Sequence, residues 1–266
     1  MLMALLLDEW LGEAKRFHPL VGFGLYVSWL ESKLRLTNQS PAMFLGGIAW
    51  LLAVSPFVIL CVALVWLLPP IWLYGLEVVA LYFSIGQKSL KQHGRAVALP
   101  LLQGDLTSAR RGVAMIVSRD TKFLDATQIS KATVETVTEN THDAIIAPLF
   151  YFLVLGLPGI VVFRLANTLD AMWGYRNEQY EYFGKCSARI DDVLGFIPAR
   201  ITALLMLLAR PQYCRQTLKS IWYTGRNWYS PNAGMVMAAG AGALNIRLGG
   251  NAVYHGKEKT DLSYWK

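Results

Sequence analysis

Charge is scarce in this chain. Only 16% of its 266 residues are Asp, Glu, Lys or Arg, against 54% hydrophobic, and the mean hydropathy is +0.35. An ordinary soluble domain carries about a quarter charged residues, so the deficit points to a membrane protein. Cysteine is rarer still: Cys61, Cys186 and Cys214 are far apart, with no CxxC or Cys/His spacing. That excludes a disulfide framework and a zinc site, and leaves three small apolar residues in a reducing compartment. The net charge is +7 and the pI about 9.3. No Lys/Arg block with interleaved aromatics accompanies that charge, so nucleic acid is not the expected partner; orientation in a bilayer explains the scattered bases. Neither GxGxxG nor GxxxxGK[ST] occurs, which excludes a Rossmann turn or a P-loop for any nucleotide. Met1 to Leu7 is apolar but short, lacks a positive leading region and runs into Asp8-Glu9, unlike a cleavable signal peptide.

Apolar runs are abundant. Ala42 to Leu68 has no charged residue and is long enough for a hydrocarbon core about 30 Å thick. Pro69-Pro70 interrupts it, and 71–86 follows with one acid, Glu77, marginal for a span; a helical hairpin over 42–86 is the expectation. The run 144–166 is broken by Pro148 and Leu157-Pro158-Gly159, so it either crosses or re-enters as two half-helices lining a polar cavity. A further run covers 193–209, and Arg210, Arg215, Lys219 and Arg226 after it, without an acid, mark a cytoplasmic loop. Before these runs, Leu25, Trp29 and Leu36 among Glu31, Lys33 and Arg35 read as an amphipathic helix. Leu99 to Met115 reads as one short helix with Arg110 and Arg111 on its polar side. The class expected is all-α, a polytopic integral membrane helical bundle with re-entrant or broken helices and amphipathic cytoplasmic helices, one domain over 1–266.

Two polar segments stand between the apolar ones. In 119–143, a helix from about Asp125 or Thr127 places Glu135, Glu139 and Asp143 at i, i+4 and i+8, one carboxylate stripe that Lys131 extends. Like charges at that spacing repel, so a cation or cationic substrate would offset them; a solvated amphipathic face is the plainer alternative. The segment 167–192 holds Asn167, Asp170, Arg176, Glu178, Arg189 and the pair Asp191-Asp192. That pair is either an oxygen-ligand site for a divalent ion or a helix start. Asp120 and Asp170 are site residues or helix caps. Arg200 either snorkels or reaches an anion. The small-residue run Ala238 to Ala243 reads as close helix packing, and His18, His93, His142 and His255 as structural histidines.

The ordered set Arg119-Asp120-Thr121, Val134-Glu135, Glu139-Asn140, Ala147-Pro148-Leu149-Phe150, Asn167-Thr168-Leu169-Asp170, Gly174-Tyr175-Arg176, Ala188-Arg189-Ile190-Asp191-Asp192, Ile197-Pro198-Ala199-Arg200, Ser230-Pro231-Asn232-Ala233-Gly234 and Arg247-Leu248-Gly249-Gly250 resembles the CobD/CbiB family of cobalamin biosynthesis. His18-Pro19-Leu20 is similar to an early His-Pro element of that family, whereas Gly12-Glu13-Ala14 and Asp143-Ala144 depart from its usual pattern. The resemblance implies a multi-pass protein of the cell inner membrane that uses ATP and magnesium to join adenosylcobyric acid to aminopropanol phosphate or ethanolamine phosphate. It implies Glu135, Glu139, Asp143 and Asp192 as catalytic candidates, and Glu139, Asp143, Asp191 and Asp192 as metal candidates. Arg119, Asp120, Asn140, Asn167, Asp170, Arg189, Arg200 and Asn232 are the substrate-binding candidates. Corrinoid, amino alcohol phosphate and lipid are the implied partners, with other cobalamin-assembly enzymes left open. If 144–166 crossed the bilayer, the two polar segments would lie on opposite sides; either it re-enters or the segments meet at depth in a water-filled cavity, and re-entry is the expectation because ATP is cytoplasmic and Pro158-Gly159 breaks the run. Two alternatives stay open: a non-catalytic membrane sensor or scaffold of the AmpE type, and a transporter, for which no inverted pair of broken segments is visible.

Overall fold

The computed structural model describes residues 1–14, 18–35, 39–175, 177, 179–225, 228, 230–254 and 257–261. Arg176, Glu178, Arg226, His255 and Leu36, singled out above, lie outside them. Local sequence signals account for most helix boundaries. α1 (Leu2–Leu11) ends at Gly12, whose φ of 73° suits glycine. α2 (Pro19–Leu34) has proline at its first position, and His18 Nδ1 accepts the Leu20 N–H at 3.3 Å. α3 (Gln39–Leu67) and α4 (Pro70–Ser84) follow. The periodicity over Leu99 to Met115 proves to belong to two helices, α5 (Gln87–Leu102) and α6 (Leu106–Ala114). Gly104, at φ 77°, reverses the chain and Asp105 caps the second helix through the Ser108 N–H, a turn that apolar spacing does not register. α7 (Ala126–Thr141) opens on a reciprocal capping box between Asp125 and Gln128, close to its expected start. A π turn (His142–Ile146), α8 (Ala147–Trp173), α9 (Lys185–Ala209), a 3-10 turn (Pro211–Tyr213), α10 (Cys214–Thr224) and α11 (Pro231–Leu244) complete the helices. A short antiparallel pair, β1 (Gly250–Tyr254) and β2 (Lys257–Asp261), comes after them.

Among the described residues three helices, Ala42–Leu67, Ala126–Trp173 and Lys185–Ala209, are long and apolar enough to cross a membrane. They contain the runs expected at 144–166 and 193–209 and all of 42–68 but its last residue. The run at 71–86 is not among them: α4 has 15 residues, about 22 Å of helix against a core of about 30 Å. The chain forms two compact units, one of Met1–Gly86 with Ala147–Gly195 and one of Gln87–Ile146 with Phe196–Lys266.

In the first unit, Phe23, Val27 and Leu30 of α2 pack with Ala49, Ala53 and Val54 of α3 and with Leu165, Leu169 and Trp173 of α8. Ala4 of α1, Val78 and Leu81 of α4 and Ile160 of α8 make a second cluster. α3 and α4 each pack on α8, so the hairpin expected over 42–86 is not a mutually packed pair. α8 itself doubles back. Gly156 takes φ 59° and ψ −142°, and the Tyr151 and Phe163 rings stack at 5.2 Å with 13° between their planes. In a straight helix those residues would stand about 18 Å apart along the axis. A Cβ at Gly159 would strike the Tyr151 carbonyl, so only glycine lets the arms close.

Two prolines inside long apolar helices are matched by tyrosines. Pro56 lacks the N–H that would serve the Leu52 carbonyl, and the Tyr26 hydroxyl donates to that oxygen at 3.0 Å. Pro198 likewise leaves the Leu194 carbonyl of α9, and the Tyr151 hydroxyl donates to it at 2.9 Å. In hydrocarbon no water could fill either role.

In the second unit, α5, α6 and α7 enclose Val97, Ala109, Val113, Ile129 and Ala132. α11 is buried along most of its length. Gly240 lies against Thr138 of α7 and Gly242 against Thr217 of α10, so the small-residue run serves close helix contact, as expected.

Candidate functional site

The second unit carries the residues of the carboxylate stripe. Glu135 is 5% exposed, and both its oxygens are engaged: Arg119 Nη2 donates to Oε2 at 2.7 Å and the Gly249 N–H to Oε1 at 2.7 Å. Gly249 has φ 80°, a conformation that presents its N–H to the carboxylate and that other residues adopt at a cost. The stripe does not keep one environment. Glu139 is exposed, and Asp143 falls in the π turn, half-buried, 3.5 Å from His142 Nε2. The Asn140 amide donates to the Thr136 carbonyl of its own helix at 2.9 Å. Asp120 sits exposed in the loop before α7, whose N-cap is Asp125. On α9, Arg200 Nη1 donates to Asn232 Oδ1 and to the Phe196 carbonyl, both at 2.9 Å, with its guanidinium carbon 3.4 Å from the Phe196 ring centroid. That arrangement combines cation–π contact with a hydrogen bond to an amide that is only 5% exposed. His142 is buried beside Thr202 Oγ1, at 3.5 Å from Nδ1.

The first unit carries the other polar group. Asp170 lies within α8 and Asp191-Asp192 within α9, one to two turns inside its start. None of the three is a helix cap or helix start, which corrects those readings. The Asp191-Asp192 pair sits inside α9, past its start at Lys185 rather than at it. Asn167 lies against Asp191, and the charges of Asp170, Asp191 and Asp192 are near enough to interact. Asp191 Oδ1 is sealed from solvent and has no hydrogen-bond partner, an orphaned acceptor in the interior. Asp170 and Asp192 are half-buried and Arg189 is exposed.

A family model described as CobD/Cbib protein matches residues 1–264. The chain belongs to the CobD/CbiB family. It is 48% identical over 266 residues to the cobalamin biosynthesis protein CobD of Chromobacterium violaceum, covering 97% of this chain and 83% of that protein. With the cobalamin biosynthesis protein CobD of Stutzerimonas stutzeri it shares 50% identity over 256 residues, 96% of this chain and 82% of the other. With the probable cobalamin biosynthesis protein CobD of Pyrococcus furiosus it shares 46% over 212 residues, 77% of this chain and 70% of the other. No solved structure matches the chain. CobD/CbiB membership covers both polar groups, Arg119, Glu135, Glu139, Asn140, Asp143, Arg200 and Asn232 in one unit and Asn167, Asp170, Arg189, Asp191 and Asp192 in the other.

Among the described residues no group of three or more His, Cys, Asp or Glu is arranged to hold a metal ion. A closed protein cage is therefore not on offer. Magnesium carried on nucleotide phosphates would need only one or two carboxylates; Glu139 is exposed and Asp143 half-buried.

Two residues escaped the reading of the sequence. Glu31 accepts from Trp173 Nε1 at 3.1 Å, Tyr180 Oη at 2.9 Å and Gln179 Nε2 at 3.4 Å, with Arg35 at 3.5 Å, and so ties the turn after Asp170 to α2. Burial and the Glu31 carboxylate push the Tyr180 hydroxyl above its ordinary pKa. In the sequence Glu31 is one acid among bases on an amphipathic helix. The other is Ser187, 1% exposed with its hydroxyl unpartnered, for which the sequence offers no signal.

Proposed function

We propose that this protein is an adenosylcobinamide-phosphate synthase of the inner membrane, an ATP-dependent ligase joining adenosylcobyric acid to aminopropanol phosphate or ethanolamine phosphate. The observation that carries the reading is identity of 48% and 50%, over 97% and 96% of the chain, to relatives named for cobalamin biosynthesis. Chemistry on the same residues supports it.

An amide does not form from a carboxylate and an amine at neutral pH without activation. The substrate carboxylate attacks the γ-phosphorus of ATP, releasing ADP and leaving an acyl phosphate. The amine, after losing a proton, then attacks the acyl carbon, and inorganic phosphate departs with the C–O bonding electrons. Catalysis of both steps is positioning and charge neutralisation. Arg200, braced by Asn232 and the Phe196 ring, and Arg119, held by Glu135, are guanidiniums set for phosphate oxygens. Glu135, with both oxygens committed, positions Arg119 rather than meeting a ligand. Magnesium, when bound with ATP, would neutralise phosphate charge, and Glu139 and Asp143 would hold it. Asp120 and Asn140 orient groups beside them. In the other unit Asn167 orients Asp191, Asp170 and Asp191 receive the amine and its proton, and Arg189 takes the amino alcohol phosphate.

The test is complementation of a strain lacking the synthase, grown on cobyric acid and separately on cobinamide. Growth on cobyric acid requires the ligation step, and rescue there supports the reading. A well-expressed chain that fails to rescue growth on cobyric acid, in cells that grow on cobinamide, overturns it.

A further inference from the structure

We infer that Ser187, together with Asp170 and Asp191, forms a buried subsite for a primary ammonium group, the amine end of the amino alcohol phosphate. The inference rests on the ligase reading and names the part of the first unit that takes the second substrate.

Ser187 and Asp191 stand one turn apart on the same face of α9. Each has an oxygen sealed from solvent without a hydrogen-bond partner, Ser187 Oγ and Asp191 Oδ1. A serine in a helix commonly bonds the carbonyl four residues back, and this one does not. Leaving such groups unmet is costly in a dry interior, so a pair of them on one face marks a position where something else donates and accepts.

Asp170 completes the set by charge: it is near enough to Asp191 for the two carboxylates to interact, and Asn167, three residues earlier on α8, lies against Asp191. A Cβ on Gly184 would strike the Trp173 carbonyl, so the chain entering α9 rests against the end of α8. Gly174 keeps the Asp170 carboxylate where it is, since any side chain there would occupy its space. Because Asp170 and Asp192 are half-buried, the seam is open to solvent on their side.

The chemistry of the set selects its occupant. A primary ammonium has three N–H donors and no acceptor; Asp191 Oδ1, the Asp170 carboxylate and Ser187 Oγ are three acceptors, two of them anionic. Magnesium keeps several waters in a strict octahedron, whereas two of these three acceptors are sealed from solvent, and no three-ligand metal group is present among the described residues.

The test uses the full chain in lipid nanodiscs, with binding of aminopropanol phosphate and of propanediol phosphate, in which hydroxyl replaces the ammonium, measured by calorimetry. Ligation kinetics are read in parallel. Ser187→Ala is expected to raise the Kd and KM of the amine about tenfold while the propanediol phosphate Kd and the KM of ATP stay within about twofold. Ser187→Thr restores amine binding. Should the alanine variant misfold, Asp191→Asn, which preserves shape, reads the same split. An amine affinity that Ser187→Ala leaves unchanged, or a loss equal for both ligands, overturns the subsite. A wild-type chain that binds the amine with this selectivity but forms no amide sinks the ligase reading and leaves the subsite standing.

Discussion

Removing the Glu135 carboxylate should destabilise the second unit more than any other single change in its polar group. Glu135 is 6% exposed at its side chain and Arg119 20%, and the two meet at 2.7 Å, with the Gly249 N–H on the other oxygen. Hydrogen bonds to a charged group contribute about 1.5–3 kcal/mol each, and removing one partner of a buried ion pair costs about 3–5 kcal/mol. Water reaches one side of the guanidinium and recovers part of the loss, so Glu135→Ala should cost about 3 kcal/mol, the low end. Glu135→Gln keeps an acceptor for Gly249 and should cost about 1–2 kcal/mol. The assay is denaturant unfolding in mixed micelles, with Arg119→Met closing a double-mutant cycle. Combining Arg119→Met with Glu135→Ala should cost less than the two changes summed, because the second removes a charge already stranded. A Glu135→Ala protein within about 1 kcal/mol of wild type would refute the reasoning.

Tyr151→Phe leaves the Leu194 carbonyl without a donor and should lower stability by about 1–3 kcal/mol; thermal unfolding in detergent reads it, and no change means the hydroxyl is dispensable. Burial and the nearby Arg164 charge hold His18 below its ordinary pKa of 6.5, with Glu13 and the Phe83 backbone opposing them. The unfolded chain therefore binds the proton first, so stability from this group is full above about pH 6.5 and declines as pH falls toward the folded value. His18→Asn, which retains an N-cap, should flatten that slope; an unchanged pH profile of Tm would exclude the histidine as its source. Glu139→Ala, altering an exposed side chain, should abolish growth on cobyric acid while membrane insertion and Tm stay near wild type; full growth would remove Glu139 from the site.

Long-range composition and local caps carried most of what was legible beforehand. A charge-free run such as Ala42 to Leu68 needs only length to be read as a span, and Asp125 with Gln128 announces the start of α7 through two reciprocal bonds. The fold-back within 144–166 was visible as Pro158-Gly159, though the reversal itself happens at Gly156, whose left-handed φ no neighbouring residue betrays. Pairing was opaque. Arg119 to Glu135 spans one loop, but Glu135 to Gly249 joins residues over a hundred positions apart, and nothing in the Arg247-Leu248-Gly249-Gly250 motif says that its N–H serves a carboxylate. Helix phase was opaque too: the π turn at His142–Ile146 places Asp143 off the regular stripe. Ser187 was illegible because a hydroxyl among small residues looks the same whether or not it has a partner.

The tyrosine and proline pairs make mutational history directional. If Pro56 gives way to a residue with an amide hydrogen, α3 can serve its own Leu52 carbonyl, and Tyr26 becomes free to drift to phenylalanine. The opposite order passes through a chain with a stranded oxygen in a lipid-facing bundle. The same asymmetry binds Tyr151 to Pro198. Within the family, then, a phenylalanine at either tyrosine position should be found beside a lost proline, whereas a lost proline can stand beside either aromatic.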